Sequence, residues 1–503
     1  MRFISVFVLL LLVSSLHAGQ AEDAQRAAPS GGVLSLLPAP KTTRHSTTID
    51  ERVLEYQAKA GTLSLLSGTG DVTAEVFYVA YTLRSGQAMA DPKRPVTFVF
   101  NGGPGAASAY LHLGALGPRI IATAANGEFL PPPQTLIDNP DAWLDMTDLV
   151  FVDPVGTGYS RAAPGEKPSD FWGVSQDAAS MGAFIRLYLA QAGRTQSPVF
   201  LVGESYGGFR VALLARTLQE DVGITPAGIV LISPALEFLL VRPDEFELLH
   251  WALGLPSLAA VRLLSEGVAG HALRAQLAEI ERYALGDYLA ALARGLEHGG
   301  RLASERVAEI TGLPSDLVRR NFARIPAPLF AKEFAHQEGM TLSAYDGMIR
   351  AADIAPQSAR NAGPDPVLDR SIPVLTSAFV SYARNELNFR TEMSYRLLNR
   401  EISRSWDYGT SPSRQGYAGV MDDLQQARAL NPELDVLIVH GYTDLVTPYM
   451  TSRYLVEQVP SLGGTQPIRI EVLEGGHMMY FRADSRRALK EAASQLYPAR
   501  LSP

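Results

Sequence analysis

The stretch Val199-Phe200-Leu201-Val202-Gly203-Glu204-Ser205-Tyr206-Gly207-Gly208-Phe209 decides how this chain reads. Its first four residues are all apolar, the mark of a strand covered on both faces. From Phe209 the texture turns helical. Between them lies G-x-S-x-G, a strand-to-helix turn so tight that side chains at its flanks would clash. Gly203 and Gly207 remove those side chains and leave the Ser205 hydroxyl exposed above the sheet edge. The helix that follows points free backbone N–H groups at any oxyanion formed there. The pattern alone is weak, so the strand before it and the helix after it carry the weight.

Working outward, compact apolar runs recur at Val96–Phe100, Leu149–Val152, Ile229–Ile232, Val436–Val439 and Ile468–Leu473. Only the last alternates with polar residues, which predicts a place near a sheet edge. Helical stretches such as Ala178–Ala192 and Phe209–Glu220 lie between several of them. This is the pattern of an α/β protein, a mostly parallel sheet wrapped by helices. Upstream, short alternating stretches between Ile49 and Leu83, such as Thr73–Thr82, predict antiparallel strands. In residues 240–365 Leu273, Leu277, Ile280 and Ala284 follow helical spacing, and no strand-like run appears for most of the block. We therefore expect a core in two parts, 46–238 and 369–503, separated by a helical cap insertion over 239–368. An independent helical domain is the alternative.

At the amino end, Arg2 precedes an almost unbroken apolar run, Phe3–Val13, with Ala18 and Ala21 as candidate cleavage points. The run is too short to cross a bilayer core of ~30 Å as a helix. It predicts an export signal over 1–21, followed by a flexible tail over 22–45 rich in Ala, Pro, Ser and Thr. No other segment is long and apolar enough for a membrane helix, so no membrane span is expected after signal removal. Export places the product outside the cytoplasm, periplasmic or secreted.

Composition narrows the chemistry. Of 503 residues, 47% are hydrophobic and 19% charged, which excludes a disordered or coiled-coil chain. Forty-four basic residues face 52 acidic ones with no basic run, so a nucleic-acid partner is not expected. Cysteine is absent, which excludes disulfides, thiolate nucleophiles and zinc-thiolate or iron–sulfur sites. No H-E-x-x-H occurs, and no Gly-Lys-Ser/Thr follows the glycine turn, so neither a metalloprotease centre nor a phosphate cradle is indicated. We expect no metal and no cofactor.

A serine hydroxyl is a poor nucleophile near neutrality and needs a base, which in turn needs an orienting acid. After a G-x-S-x-G elbow the partners follow as Asp or Glu, then His. Beyond the helical block only His440 and His477 remain. His477 sits in Glu474-Gly475-Gly476-His477-Met478, just after one strand, and Asp444 lies just after another; strand ends are where such sheets assemble sites. His440 precedes the acid and reads as structural, and Asp435 lies at the wrong edge. The strand Val96–Phe100 runs into Asn101-Gly102-Gly103-Pro104-Gly105, bare backbone whose N–H groups can converge on an oxyanion.

Asn101-Gly102-Gly103-Pro104-Gly105, Asp153-Pro154-Val155-Gly156-Thr157-Gly158-Tyr159-Ser160, the Gly203–Gly207 elbow and Gly476-His477-Met478 occur in that order. Together with Trp143 they resemble the serine carboxypeptidase family, which has an α/β-hydrolase fold. The likeness covers about 96–235 and 430–482. Within the insertion, Thr311-Gly312-Leu313-Pro314 and Tyr345-Asp346-Gly347 are similar to segments of bacterial members. The resemblance implies that Ser205 is the nucleophile, His477 the general base and acid, and Asp444 the orienting carboxylate. It implies oxyanion donors at the backbone N–H groups of Gly103 and Tyr206. It also implies that Asn101 and Glu204 hold the substrate's terminal carboxylate, the activity being release of C-terminal amino acids from peptides with a free C-terminus.

Two features depart from the family. Where its members carry a glutamate that shares a proton with the residue before the nucleophile, this chain has Ala115. Without that partner Glu204 is expected to ionise more readily, giving less preference for acidic pH, with His112, Arg119 or Arg210 as candidate compensating charges. The second departure is the absence of cysteine, since disulfides are common in the family. An esterase or acyltransferase using the same triad on non-peptide acyl groups is the alternative reading, and a binding protein on an inactive hydrolase scaffold is a third.

Overall fold

The computed structural model describes residues 32–84, 91, 93–242, 246–409 and 418–497. The export signal expected over 1–21 lies outside them. Nine strands make up the path of the main sheet: β1 Lys41–Ile49, β2 Arg52–Leu66, β3 Val72–Leu83, β4 Val96–Phe100, β5 Asp148–Val152, β6 Val199–Glu204, β7 Pro226–Ile232, β8 Asp435–Gly441 and β9 Arg469–Leu473. Their spatial order is β1-β2-β3-β5-β4-β6-β7-β8-β9, and the short strand Arg161–Ala162 pairs with β3 off this path. From β5 to β9 every pairing is parallel, whereas β1, β2, β3 and β5 pair antiparallel. β9 lies at one edge, as its alternation predicts.

The unbroken apolar runs have a direct cause. Along β6, Val199 and Leu201 face one hydrophobic core while Phe200 and Val202 face another. β7 divides the same way, with Ile229 and Leu231 opposed to Val230 and Ile232. Both faces are dry, so neither register position calls for a polar residue. Helices α1 Val174–Gln191 and α2 Tyr206–Thr217 cover one face. Helices α6 Leu368–Asn385 and α7 Ala483–Ser494 cover the other.

Between β7 and β8 the chain leaves the sheet. There α3 Leu249–Ser265, α4 Gly270–Tyr283 and α5 Leu296–Thr311 pack Leu273, Leu277, Ile280 and Val307 into a third core. The same excursion carries a small hairpin, Met340–Leu342 with Arg350–Ala352, and closes on Tyr442 and Leu445 after β8. Among the described residues, no helix is long and apolar enough to cross a membrane.

One boundary differs from the sequence reading. The tail expected to reach residue 45 gives way earlier, to a 3-10 turn at Val33–Leu36 and then to β1. β1 is a Thr- and Ser-rich edge strand that buries only Thr47 and Ile49. An edge strand with a wet face has the composition of a tail.

Candidate active site

The elbow is built by exclusion. A Cβ on Gly203 would lie 2.0 Å from the Gly207 carbonyl oxygen, and one on Gly207 would lie 2.6 Å from that of Phe100. Between them Ser205 adopts φ 58° and ψ −123°, a strained conformation for a side-chain-bearing residue. Its backbone N–H donates to the Ile232 carbonyl at 2.9 Å, tying the turn to the end of β7.

The glycine loop after β4 lies directly on the elbow. A Cβ at Gly102 would stand 2.5 Å from the Tyr206 nitrogen and 2.6 Å from the Glu204 carbonyl oxygen. Tyr206 opens α2, so its N–H has no intrahelical acceptor. Ser108 and Asp153 hold this loop from behind, the Ser108 N–H donating to Asp153 Oδ1 at 2.8 Å. Gly103 and Tyr206, the expected oxyanion donors, thus line one cleft together with Ser205, His477, Asn101 and Glu204.

Asp444 and His477 come from the loops after β8 and β9. His477 Nδ1 is 2.8 Å from Asp444 Oδ2. Because a carboxylate can only accept here, Nδ1 carries the proton and Nε2 is left as the basic atom. Asp444 Oδ1 accepts from the N–H groups of Val446 and Thr447 at 2.8 and 3.0 Å. The Thr447 hydroxyl donates to Asp444 Oδ2 at 2.6 Å and lies 3.1 Å from His477 Nδ1. Burial opposes the charge on Asp444, but the imidazole and the Thr447 bonds outweigh it and hold the carboxyl below its usual range. Burial likewise pulls the His477 ring down, and the neighbouring Asp444 carboxylate more than reverses this, leaving it above its ordinary value.

The chain between β7 and β8 contributes a brace that carries no catalytic signature in the sequence. The His477 N–H donates to the Tyr345 carbonyl at 2.6 Å, and the Tyr345 ring stands edge-on to the imidazole with centroids 5.3 Å apart. Asp346 Oδ1 accepts from the Thr443 hydroxyl at 2.7 Å, one residue before Asp444. Tyr345-Asp346-Gly347 therefore clasps both loops, whereas Thr311-Gly312-Leu313-Pro314 ends α5 within the helical core. His440 is buried against Ser452 at 2.8 Å, and burial lowers its pKa to about 4, so it stays neutral.

Asn101 and Glu204 are in direct contact. The Asn101 Oδ1 accepts from the Leu111 N–H at 3.0 Å, which turns its Nδ2 toward Glu204 Oε2. The same oxygen accepts from the Tyr480 hydroxyl at 2.9 Å. Burial, opposed by His477 and by these two donors, raises the Glu204 pKa to about 7.

Desolvation thus holds the proton on Glu204 in mild acid without a second carboxyl beside it. The three proposed compensating charges are all occupied elsewhere. His112 is buried, stacked on Phe151 and bonded to the Tyr81 hydroxyl, with its pKa lowered to about 3 by desolvation. Arg119 pairs with Asp138 and Glu386. Arg210 pairs with Asp177 at 2.6 Å and donates to the Asn101 carbonyl at 2.7 Å, supporting the loop from beneath. Tyr480, which does reach Glu204, sits in an apolar run and has no motif to mark it.

Residues 56–225 match the family model described as serine carboxypeptidase. A carboxypeptidase Y homolog from Arthroderma benhamiae is 31% identical over 160 residues, 29% of this chain and 28% of that protein. The pheromone-processing carboxypeptidase KEX1 of Yarrowia lipolytica is 30% identical over 159 residues, 30% of this chain and 24% of that protein. The chain thus spans well under half the length of these curated relatives. The crystal structure of Kex1(delta)p, a prohormone-processing carboxypeptidase from Saccharomyces cerevisiae, superposes with a TM-score of 0.56 at 14% identity, over 88% of this chain and 91% of that one. Residues 56–225 are thus similar to the serine carboxypeptidase family, and the chain carries an α/β-hydrolase fold.

Proposed function

We propose that this protein is an exported serine carboxypeptidase that removes C-terminal amino acids from peptides with a free C-terminus. One observation carries the reading. A buried Glu204, bonded to Asn101, stands in the same cleft as Ser205 and the Asp444–His477 couple. The first pair suits a substrate carboxylate, and the second suits acyl transfer.

The Ser205 hydroxyl attacks the carbonyl of the last peptide bond as its proton passes to His477 Nε2. The oxyanion forms against the N–H groups of Gly103 and Tyr206. His477 then protonates the leaving nitrogen, the C–N bond breaks, and the terminal amino acid departs. Water attacks the Ser205 ester, giving its proton to His477, and Ser205 is released with its proton restored. Asp444 keeps the imidazole in the required tautomer throughout. Glu204, protonated below about pH 7, can face a carboxylate without repulsion. The apolar run Phe3–Val13 supports export to the periplasm or the medium.

The test compares wild type and Ser205→Ala on one blocked dipeptide, supplied with a free C-terminus and as its amide. Cleavage of the free acid alone, and only by the wild type, is expected. Equal cleavage of acid and amide would transfer the assignment to the esterase or acyltransferase alternative.

A further inference from the structure

Glu204 is held by two donors that converge on one of its oxygens. Asn101 Nδ2 and the Tyr480 hydroxyl both bond Oε2. An oxygen that accepts two hydrogen bonds has both lone pairs committed, so in the neutral acid it is the carbonyl oxygen. The acidic proton then resides on Oε1, the oxygen neither donor engages. Glu204 lines the cleft, and with Oε2 fastened inward the protonated Oε1 is the group available to a ligand.

Tyr480 is placed for this by local structure. It lies in the one-turn helix Met479–Phe481, three positions after His477, and is fully buried. Its ring rests on Gly114, where a Cβ would come within 2.7 Å of the ring and 2.8 Å of Phe481. The neighbouring Ala115 is small and buried. Within the segment 112–116 the one polar side chain is His112, which is bonded to the Tyr81 hydroxyl.

We infer that Tyr480 is the positioning residue of the carboxylate subsite, fixing Glu204 so that a single protonated carboxyl, with its O–H on Oε1, donates to the terminal carboxylate of the substrate. The inference rests on the carboxypeptidase reading. It adds that the pairing needs a phenol and one acid. The titratable groups facing Glu204 are His477 and Asp444 from the loops after β9 and β8, Tyr480 itself, Tyr110 from the loop after β4, and Tyr345 from the hairpin between β7 and β8. All three tyrosines are pushed to high pKa by burial, so below pH 9 none of them adds a charge.

The sign of the effect is distinctive. The Tyr480 bond favours the ionised form of Glu204, so its loss retains the proton to higher pH while releasing the side chain from its orientation. In Tyr480→Phe, KM for the free-acid dipeptide should rise about tenfold with kcat nearly unchanged. The alkaline limb of kcat/KM should move to higher pH, and turnover of the matching ester should be unaffected. Gly114→Ala, which displaces the ring, should reproduce the KM effect and serves if Tyr480→Phe fails to fold. If the wild type prefers the acid and both its KM and its alkaline limb are unmoved in the variants, the inference about Tyr480 is overturned and the carboxypeptidase reading stands. An equal loss on acid and ester overturns it as well. If the wild type itself shows no preference for the acid, the carboxypeptidase reading fails and the Tyr480 role falls with it.

Discussion

The Asp444 carboxylate and the His477 ring meet at 2.8 Å, and the Thr447 hydroxyl touches both of them. Every lone pair that could turn Asp444 away is occupied by a neighbour in the same loop. The imidazole therefore has one available tautomer, with Nε2 free to accept a proton.

Asp444→Asn keeps the shape and removes the charge. It should lower kcat by roughly 10⁴-fold on an ester substrate, because the amide also tolerates the wrong imidazole tautomer. Steady-state kinetics on protein of unchanged melting temperature measure this; a loss below tenfold would contradict the role given to Asp444.

Gly102→Ala tests the oxyanion site. The new Cβ, 2.5 Å from the Tyr206 nitrogen, must lift the glycine loop off the elbow and separate the two N–H groups. Acylation should slow by about 10²–10³-fold, read as the rate of the burst phase with a chromogenic ester.

Glu204 predicts a pH dependence of binding. Free-acid substrates should show rising KM as pH passes about 7, where the site acquires a charge of the same sign as the ligand. Esters should show no such rise. Titration of KM for both substrate types between pH 5 and 9 checks this directly.

The same residue makes a stability prediction. Its folded pKa of about 7 stands above the ordinary 4.5, so the folded state holds a proton that the unfolded state has released. Stability from this group is fully present below pH 4.5 and is lost as pH rises toward 7. Glu204→Gln, which does not titrate, should gain on the wild type across that interval by on the order of 3 kcal/mol. Urea unfolding at pH 4.5 and pH 7.5 gives the comparison.

Arg210→Met leaves the buried Asp177 without its partner. The expected cost is about 3–5 kcal/mol, with part of it recovered in the double variant Asp177→Asn/Arg210→Met. Denaturant midpoints of the four proteins decide whether Arg210 acts through this pair.

The elbow, the glycine loop and the two loops carrying Asp444 and His477 were legible because each is a local event, a strand ending in a turn with restricted residues. The mostly parallel character of the sheet followed from runs buried on both faces. What the sequence concealed depends on distance along the chain. Tyr480 meets Glu204 across 276 positions, and nothing in Met478-Met479-Tyr480-Phe481 distinguishes a hydrogen-bonding ring from a packing one. His112, Arg119 and Arg210 carried the right chemistry for a compensating role, yet each is consumed by a partner that only the fold supplies. β1 was hidden by its polar composition, which serves an edge as well as a tail.

The clasp formed by Tyr345-Asp346-Gly347 ties the loops of Asp444 and His477 to the excursion between β7 and β8. A Cβ on Gly476 would collide with the Tyr345 carbonyl oxygen at 2.1 Å, so the histidine loop and that excursion are moulded to each other. The segment between β7 and β8 is accordingly not an interchangeable module. Grafting a foreign one onto the sheet would carry off the surface against which the imidazole is seated. Replacing residues at this hairpin therefore disturbs the seat of the imidazole, whereas changes on the outer helices fall on a separate core.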